Sequence, residues 1–92
     1  MFEGLKVVEL ASVLAGPMVG SFFSELGAEV LKIENSKTGG DITRHWKLPS
    51  EDNSKLISAY YASANYGKSS LFLDLSSEAD YLKAIAAIKI AD

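Results

Sequence analysis

The chain of 92 residues lacks cysteine altogether, and it has two prolines, one histidine and no long hydrophobic run. Without cysteine there are no disulfide bonds and no thiolate chemistry, which fits a reducing compartment. No stretch of about 18 apolar residues is long enough for a membrane span, and no signal-peptide pattern begins the chain. We therefore expect a cytoplasmic protein without a membrane partner.

A surplus of basic charge is also missing. Nine Lys and Arg residues stand against twelve Asp and Glu, and the net charge is -3. Nucleic-acid binding usually requires a basic stripe or patch, so no nucleic-acid partner is expected. With His45 as the single histidine and no cysteine, no metal site or resident cofactor is expected either. The 48% hydrophobic and 23% charged content is that of an ordinary globular chain of one domain at most.

The first third of the chain predicts a strand, a helix and a second strand. In residues 5–10 the apolar Leu5, Val7, Val8 and Leu10 are too close together for a one-sided helix and partly β-branched, which favours a buried strand. Pro17 suits the first position of the following helix, and Gly27 suits the left-handed cap after it. Residues 29–34 read as the second strand, and a crossover of this length implies parallel pairing.

Two helices are expected to bury an apolar face. In the first, apolar residues recur at helical spacing: Met18, Val19, Phe22, Phe23 and Leu26. A third strand over 71–75 precedes a second helix, which a Ser77-x-x-Asp80 capping box opens. The apolar side of that helix carries four residues: Tyr81, Leu82, Ile85 and Ile88.

Residues 35–53 are rich in turn formers and predict a long loop, of the kind that is usually functional or mobile. We expect Arg44 and Asp41 to fasten this loop through a charge-assisted contact with each other. Trp46 is interpreted as a packing anchor. The glutamates at 25, 29 and 34 are interpreted as solvated charges, and residues 56–64 as weakly helical.

The turn at Gly16-Pro17 has a plain interpretation and a functional one. It starts a helix, and a helix start beside the carboxyl end of a strand also offers main-chain N–H groups to a phosphate-bearing ligand. A dinucleotide-binding module would place an acidic residue at the end of the second strand, where Glu34 stands. The glycine fingerprint of such modules is absent, which disfavours that alternative.

Three stretches together resemble the class III CoA-transferase family, which includes formyl-CoA transferase, carnitine CoA-transferase and α-methylacyl-CoA racemase. They are residues 5–17 with the Ala15-Gly16-Pro17 turn, residues 26–34, and residues 39–44 followed by 65–70 and 73–75. The resemblance implies an α/β fold, the three-stranded parallel part of a Rossmann-like open sheet with flanking helices. Residues 1–92 then form an incomplete, N-terminal part of the family's domain, with the long loop at 35–53.

The resemblance also implies contacts with coenzyme A, which is a substrate rather than a cofactor. Main chain before the Ala-Gly-Pro turn would meet its nucleotide end, as would the end of the third strand. Family members carry a basic residue where this chain has Asn35, and the nearby Lys37 is the candidate substitute. Lys68, which lies between Gly67 and Ser69, is expected to add a separate point charge for a phosphate. The implied contact residues are Val13, Leu14, Ala15, Asn35, Leu73, Asp74, Leu75 and Ser76.

No residue of this chain is expected to be catalytic, because the resemblance places the family's nucleophilic aspartate well beyond residue 92. Neither Asp41 nor Asp74 lies at that position. The expected function is therefore the CoA-binding portion of a transferase that moves CoA between carboxylic acids, with a CoA thioester as partner. A 2-methylacyl-CoA racemase and a purely structural module stay open as alternatives. The open sheet edge is expected to drive homo-oligomerisation.

Overall fold

The computed structural model describes all 92 residues as an open α/β sheet with helices packed against it. The three strands pair in the order β1-β2-β3, and both pairings are parallel, as predicted. None of the helices is long and apolar enough to cross a membrane. The elements are β1 Lys6–Glu9, α1 Ala15–Glu25, β2 Glu29–Asn35, two 3₁₀ helices Ser36–Thr38 and Ile42–His45, α2 Ala59–Asn65, β3 Ser69–Leu73 and α3 Glu78–Lys89.

β2 is the central strand and provides most of the buried sheet surface. Its Val30 and Ile33 are buried, and Ile33 packs with Leu73 of β3 and Ala84 of α3 in the hydrophobic core. β3 lies two residues earlier in the chain than predicted, at Ser69–Leu73. Asp74 therefore follows the strand at its carboxyl end, where the main chain leaves the sheet.

α1 starts two residues before its proline. The helix begins at Ala15, so Pro17 occupies its third position rather than the first. Proline is tolerated there because the first N–H groups of a helix have no partner within the helix. Gly27 has a φ of 104° and caps the other end, as the sequence predicts.

Three of the five apolar residues that α1 was predicted to bury are exposed, and the other two, Phe23 and Leu26, are half-buried. Met18, Val19 and Phe22 are each more than half exposed, and the buried positions include Gly20 and Ser21. Gly20 faces β1 so closely that a Cβ atom would lie 1.9 Å from a carboxylate oxygen of that strand. The helix thus packs through its small residues, because only they allow the close approach.

α3 packs in the same manner. Ala84 is its buried residue, whereas Tyr81, Leu82 and Ile88 of the predicted apolar side are exposed. The predicted capping box is one-sided. The Ser77 hydroxyl oxygen accepts the Asp80 N–H at 3.5 Å, but the Asp80 carboxylate accepts the N–H of another residue, Asp74, at 2.8 Å.

β1 forms one of the two edges of the sheet, and β3 forms the other. At the β1 edge the main-chain N–H of Asp92 donates to the Lys6 carbonyl at 2.8 Å, and the Lys6 N–H donates to the Asp92 carboxylate at 2.9 Å. Beside this edge lies a hollow of about 500 Å³ with mainly apolar walls, to which α1 contributes Phe23 and α3 contributes Ile88. The first strand of the chain therefore lies at the edge and has one neighbouring strand, β2.

Candidate functional site

Four buried side chains of alternating charge run beneath the first helix. The Asp41 carboxylate lies 3.0 Å from the Lys32 ammonium, Lys32 lies 2.9 Å from Glu9, and Glu9 lies 2.7 Å from Lys68. We call these four residues the buried charge chain. Each of the four side chains is at most 6% exposed. Because a buried ion without a partner is costly, each of the four charges is stabilised by its neighbours of opposite sign.

Lys68 is fully occupied within the protein. Its ammonium donates to the Glu9 carboxylate, to the Pro17 carbonyl and to the Asn65 side-chain oxygen, at 2.7, 2.7 and 2.9 Å. Burial lowers the pKa of the Lys68 ammonium below its ordinary value, against the opposing effect of Glu9. An ammonium has three donors, so none remains for the phosphate that the sequence suggested as its partner.

The turn that leads into α1 is hydrogen-bonded to Asp41 of the buried charge chain. Val13 has a φ of 72° and is the single non-glycine residue with a positive φ. Its N–H donates to the two carboxylate oxygens of Asp41 at 3.3 and 3.2 Å. A β-branched residue in this conformation costs about 1–3 kcal/mol, so the charge-assisted bond offsets strain in the turn. The helix start itself has no side-chain cap.

Asp41 differs from its predicted role because its cation is Lys32 and not Arg44. Its carboxylate also accepts the N–H and hydroxyl of Thr43 at 3.0 and 2.9 Å. Burial would raise the pKa of the Asp41 carboxyl, but the bonds from Thr43 and Lys32 outweigh burial and leave the pKa below its ordinary value. Asp41 is therefore ionised and fixed at neutral pH.

Arg44 pairs instead with Glu34, which the sequence wrongly suggested to be solvated. The guanidinium donates through Nε and one terminal nitrogen to the two oxygens of the Glu34 carboxylate, both at 2.7 Å. The Tyr61 hydroxyl donates to the same carboxylate at 2.8 Å, the Ser70 hydroxyl donates to it as well, and the Asp41 N–H donates at 2.8 Å. The loop is thus fastened to β2 by two different ion pairs.

These contacts shift two pKa values strongly. Burial would raise the pKa of Glu34, but the hydrogen bonds from Arg44 and its other donors lower that pKa to about 2. Burial and the bond to Glu34 raise the pKa of Tyr61 to about 12. The Glu34 carboxylate has no free oxygen for a ribose, which removes the main feature that favoured a dinucleotide-binding module.

Most of the predicted contact residues line one groove at the carboxyl ends of β2 and β3. The groove has a volume of about 320 Å³, and its walls include Leu10 and Lys37 together with Asn35 and the segment 73–76. The structure thus brings together five of the predicted residues. Val13, Leu14 and Ala15 do not line this groove. A second groove of about 300 Å³ shares Leu10 and Asn35 with the first and reaches Ser12, the residue before Val13.

Lys37 spans the mouth of the first groove. Its ammonium donates to the Ser76 hydroxyl at 3.0 Å and lies 3.6 Å from the Asp74 carboxylate, while its side chain stays 62% exposed. The hydrogen bond from Ser76 lowers the pKa of Asp74, with Lys37 acting in the same direction. Asn35, in the same groove, accepts the Lys37 N–H through its side chain at 2.9 Å, which orients the 3₁₀ turn that carries the lysine.

Sequence reasoning missed the roles of Glu9 and Lys32. Both are charged residues inside runs of apolar strand residues, and they stand on neighbouring strands at paired positions. A charge in such a run indicates either a solvent-facing position or a buried pair. The presence of one on each of two adjacent strands was the signal for a pair.

The structure is that of an α/β protein with two grooves at the carboxyl ends of parallel strands, where open sheets of this class usually bind their ligands. The sequence profile of CoA-transferase family III matches residues 2–92, so the chain belongs to that family. The relatives found with it carry CoA-transferase names. The family and the fold therefore agree with the resemblance.

Two curated relatives illustrate the similarity. The chain is 47% identical over 76 residues to a succinate–glutarate CoA-transferase of Agrobacterium fabrum, covering 79% of this chain and 19% of that protein. It is 36% identical over 88 residues to the human succinyl-CoA:glutarate CoA-transferase, covering 94% and 19%. The chain thus spans about a fifth of the length of these relatives.

A solved structure has the same fold. The crystal structure of a CAIB/BAIF family protein from Brucella suis matches with a TM-score of 0.88 at 39% identity, covering 99% of this chain and 24% of that chain. The likeness extends over all three strands, since almost every residue of this chain is covered.

Proposed function

We propose that residues 1–92 are the N-terminal, CoA-holding part of a CoA-transferase that moves CoA between carboxylic acids. The observation that carries the proposal is the groove in which Asn35 and residues 73–76 come together at the carboxyl ends of two parallel strands. Family membership and the CoA-transferase names of the relatives support it. The 2-methylacyl-CoA racemase has no comparable support.

In this proposal the groove holds the nucleotide end of CoA. Lys37 supplies the cation where family members carry their basic residue, because Asn35 has no charge. Its ammonium is exposed and is held by Ser76 and Asp74, so an incoming phosphate exchanges places with Asp74. The main chain at Val13, Leu14 and Ala15 contributes from the adjoining turn, beside an uncapped helix start that favours anions by about 0.3–1 kcal/mol per charge.

The acyl chemistry belongs to residues outside this chain. The Asp41 carboxylate is buried and bonded to Thr43 and Lys32, and the resemblance places neither Asp41 nor Asp74 at the position of the family's nucleophile. The isolated chain is then inactive. Its role is to bind the nucleotide end of CoA, far from the reacting thioester, and such remote binding energy contributes to catalysis elsewhere in the enzyme. In the resembled family an aspartyl anhydride and an aspartyl-CoA thioester carry the transfer. The cytoplasm remains the compartment that we expect.

The binding proposal is tested by titrating isotopically labelled protein with adenosine 3′,5′-bisphosphate and, separately, with pantetheine, followed by NMR. We expect the nucleotide to shift the amide signals of Leu14, Ala15 and residues 73–76, and pantetheine to leave them unchanged. Lys37→Ala should weaken nucleotide binding about tenfold, the loss of one charge-assisted contact. Lys55→Ala, in an exposed loop, is the matched control and should change nothing. Equal shifts with pantetheine would refute the proposal.

We also propose that the chain self-associates through the β1 edge. On its outer side β1 is bonded to Asp92 only at Lys6, so its other outward main-chain groups are available to pair with a strand of a second copy. The hollow beside this edge is mainly apolar. Sedimentation velocity should show an association that grows with concentration. Ile88→Lys, in the wall of the hollow, should reduce this association. Ile57→Lys changes a residue of similar exposure in the loop before α2, away from the hollow, and should leave the association unchanged. A compact monomer at every concentration would exclude this mode.

A further inference from the structure

One ion pair holds the turn between β1 and α1 at two main-chain atoms. The Lys32 ammonium donates to the Ala11 carbonyl at 2.7 Å, and the Asp41 carboxylate accepts the Val13 N–H. The ammonium and the carboxylate lie 3.0 Å apart. Each charge thus meets the main-chain group of opposite polarity, and the two groups are only two residues apart. The ion pair acts as a clamp on the turn.

Val13 requires such a clamp. Its φ of 72° is one that valine rarely adopts, while the other positive φ values of the chain all belong to glycines. A conformation of this kind persists only when its surroundings determine it. Asp41 provides the acceptor for the one main-chain donor of this residue.

Asp41 is itself fixed by contacts outside the turn. Its N–H donates to the Glu34 carboxylate at 2.8 Å, and its carboxylate accepts both donors of Thr43. Its side chain has no exposure to solvent. The position of the carboxylate is therefore set by β2 and the 3₁₀ helix that follows, and the turn adapts to it.

We propose that Asp41, together with Lys32, is a positioning residue that sets the main-chain conformation of Val13-Leu14-Ala15. This inference rests on the proposed function, in which that main chain contacts CoA. Asp41 does not touch the ligand in this scheme. It acts through the Val13 N–H, so its removal weakens ligand binding by changing the shape of the turn.

The test uses the variants D41N, V13G and D41N/V13G. Asparagine has nearly the same volume as aspartate. If its side-chain oxygen accepts the Thr43 donors, its NH₂ group faces the Val13 N–H and the Lys32 ammonium, which are donors too, so both contacts are lost. We expect amide hydrogen exchange at residue 13 to become about tenfold faster in D41N, with β2 amides unchanged. D52N is the control, since Asp52 also accepts an N–H two residues onward, in an exposed loop.

Binding supplies the second measurement. NMR titration with adenosine 3′,5′-bisphosphate should show about tenfold weaker binding to D41N, and V13G added to D41N should restore most of the affinity. Glycine adopts the φ of residue 13 without strain, so the turn keeps its shape without the carboxylate. A residue that serves only the stability of the fold would show no such rescue.

The outcomes separate the two proposals. If the unchanged protein binds no nucleotide, the proposed function fails, while the exchange rate at residue 13 still decides the role of Asp41. A folded D41N with unchanged exchange there overturns the positioning role. If D41N does not fold, recovery of cooperative unfolding in D41N/V13G supports the role. No recovery assigns Asp41 to charge balance alone and overturns it.

Discussion

The Arg44 guanidinium forms a bidentate ion pair with the Glu34 carboxylate, with both nitrogen–oxygen distances at 2.7 Å. Arg44 comes from the 3₁₀ helix of the long loop, and Glu34 comes from the central strand. The guanidinium also lies over the Tyr61 ring, 3.9 Å from its centre. This pair therefore connects the loop, the sheet and α2 at one buried point.

Arg44→Lys should destabilise the protein by about 1–3 kcal/mol in the free energy of unfolding. A lysine keeps the charge, but it has neither the planar two-point geometry nor the stacking on Tyr61. Denaturant titration measures the loss. Lys83→Gln removes an exposed partner of Asp80 and should cost no more than about 0.5 kcal/mol. Equal effects of the two substitutions would contradict the central role of the pair.

Stability should fall in acid because of Glu34. Its pKa is about 2 in the folded protein against a reference value of 4.5, so the unfolded chain takes up the proton first as the pH drops. The contribution is complete above about pH 5 and is lost between about pH 4.5 and 2, on the order of 2–3 kcal/mol. The free energy of unfolding measured against pH checks this.

Glu34→Gln is the variant that isolates this group. It should be less stable than the unchanged protein at neutral pH, and its loss of stability between pH 5 and 2 should be smaller. Asp41 and Asp74 also have lowered pKa values, so part of the dependence of stability on pH will remain in this variant. An identical pH dependence in both proteins would show that Glu34 does not carry it.

The sequence was sufficient for the sheet and its parallel order because β-branched runs and glycine caps are local signals. It was insufficient for the direction of the helix faces. The apolar spacing of α1 predicts an inward Met18 and Phe22, but the close contact at Gly20 turns the opposite side inward. The ion partners of Asp41 and Arg44 were also out of reach, because they depend on which residues of β2 point to the loop.

The outward apolar face of α1 gives a test of that correction. Met18→Lys should change the free energy of unfolding by no more than about 0.5 kcal/mol, because the side chain is half exposed and surface substitutions have small effects. Val30→Lys, on the buried strand position, should prevent folding or cost several kcal/mol. Thermal unfolding of both variants checks the contrast. A large loss from Met18→Lys would restore the face that the spacing predicts.

Gly20→Ala tests the packing that turns the helix. In most helix interiors this substitution stabilises by about 1 kcal/mol, because alanine has the higher helix propensity. Here the new Cβ would lie 1.9 Å from a Glu9 oxygen and 3.1 Å from the Lys68 nitrogen. The Glu9 carboxylate cannot swing away freely, since it is bonded to both Lys32 and Lys68. We therefore expect a net loss of about 1–3 kcal/mol.

Val19→Ala is the matched control for Gly20→Ala, because it introduces the same residue one position earlier on the exposed side of α1. It should leave the free energy of unfolding within about 0.5 kcal/mol of its original value. Denaturant titration compares the two variants at the same pH. If Gly20→Ala stabilised the protein as in an ordinary helix, α1 would not approach β1 as closely as described. In that case the close approach of α1 at Gly20 would not be what shields Glu9 and Lys68 of the buried charge chain from solvent.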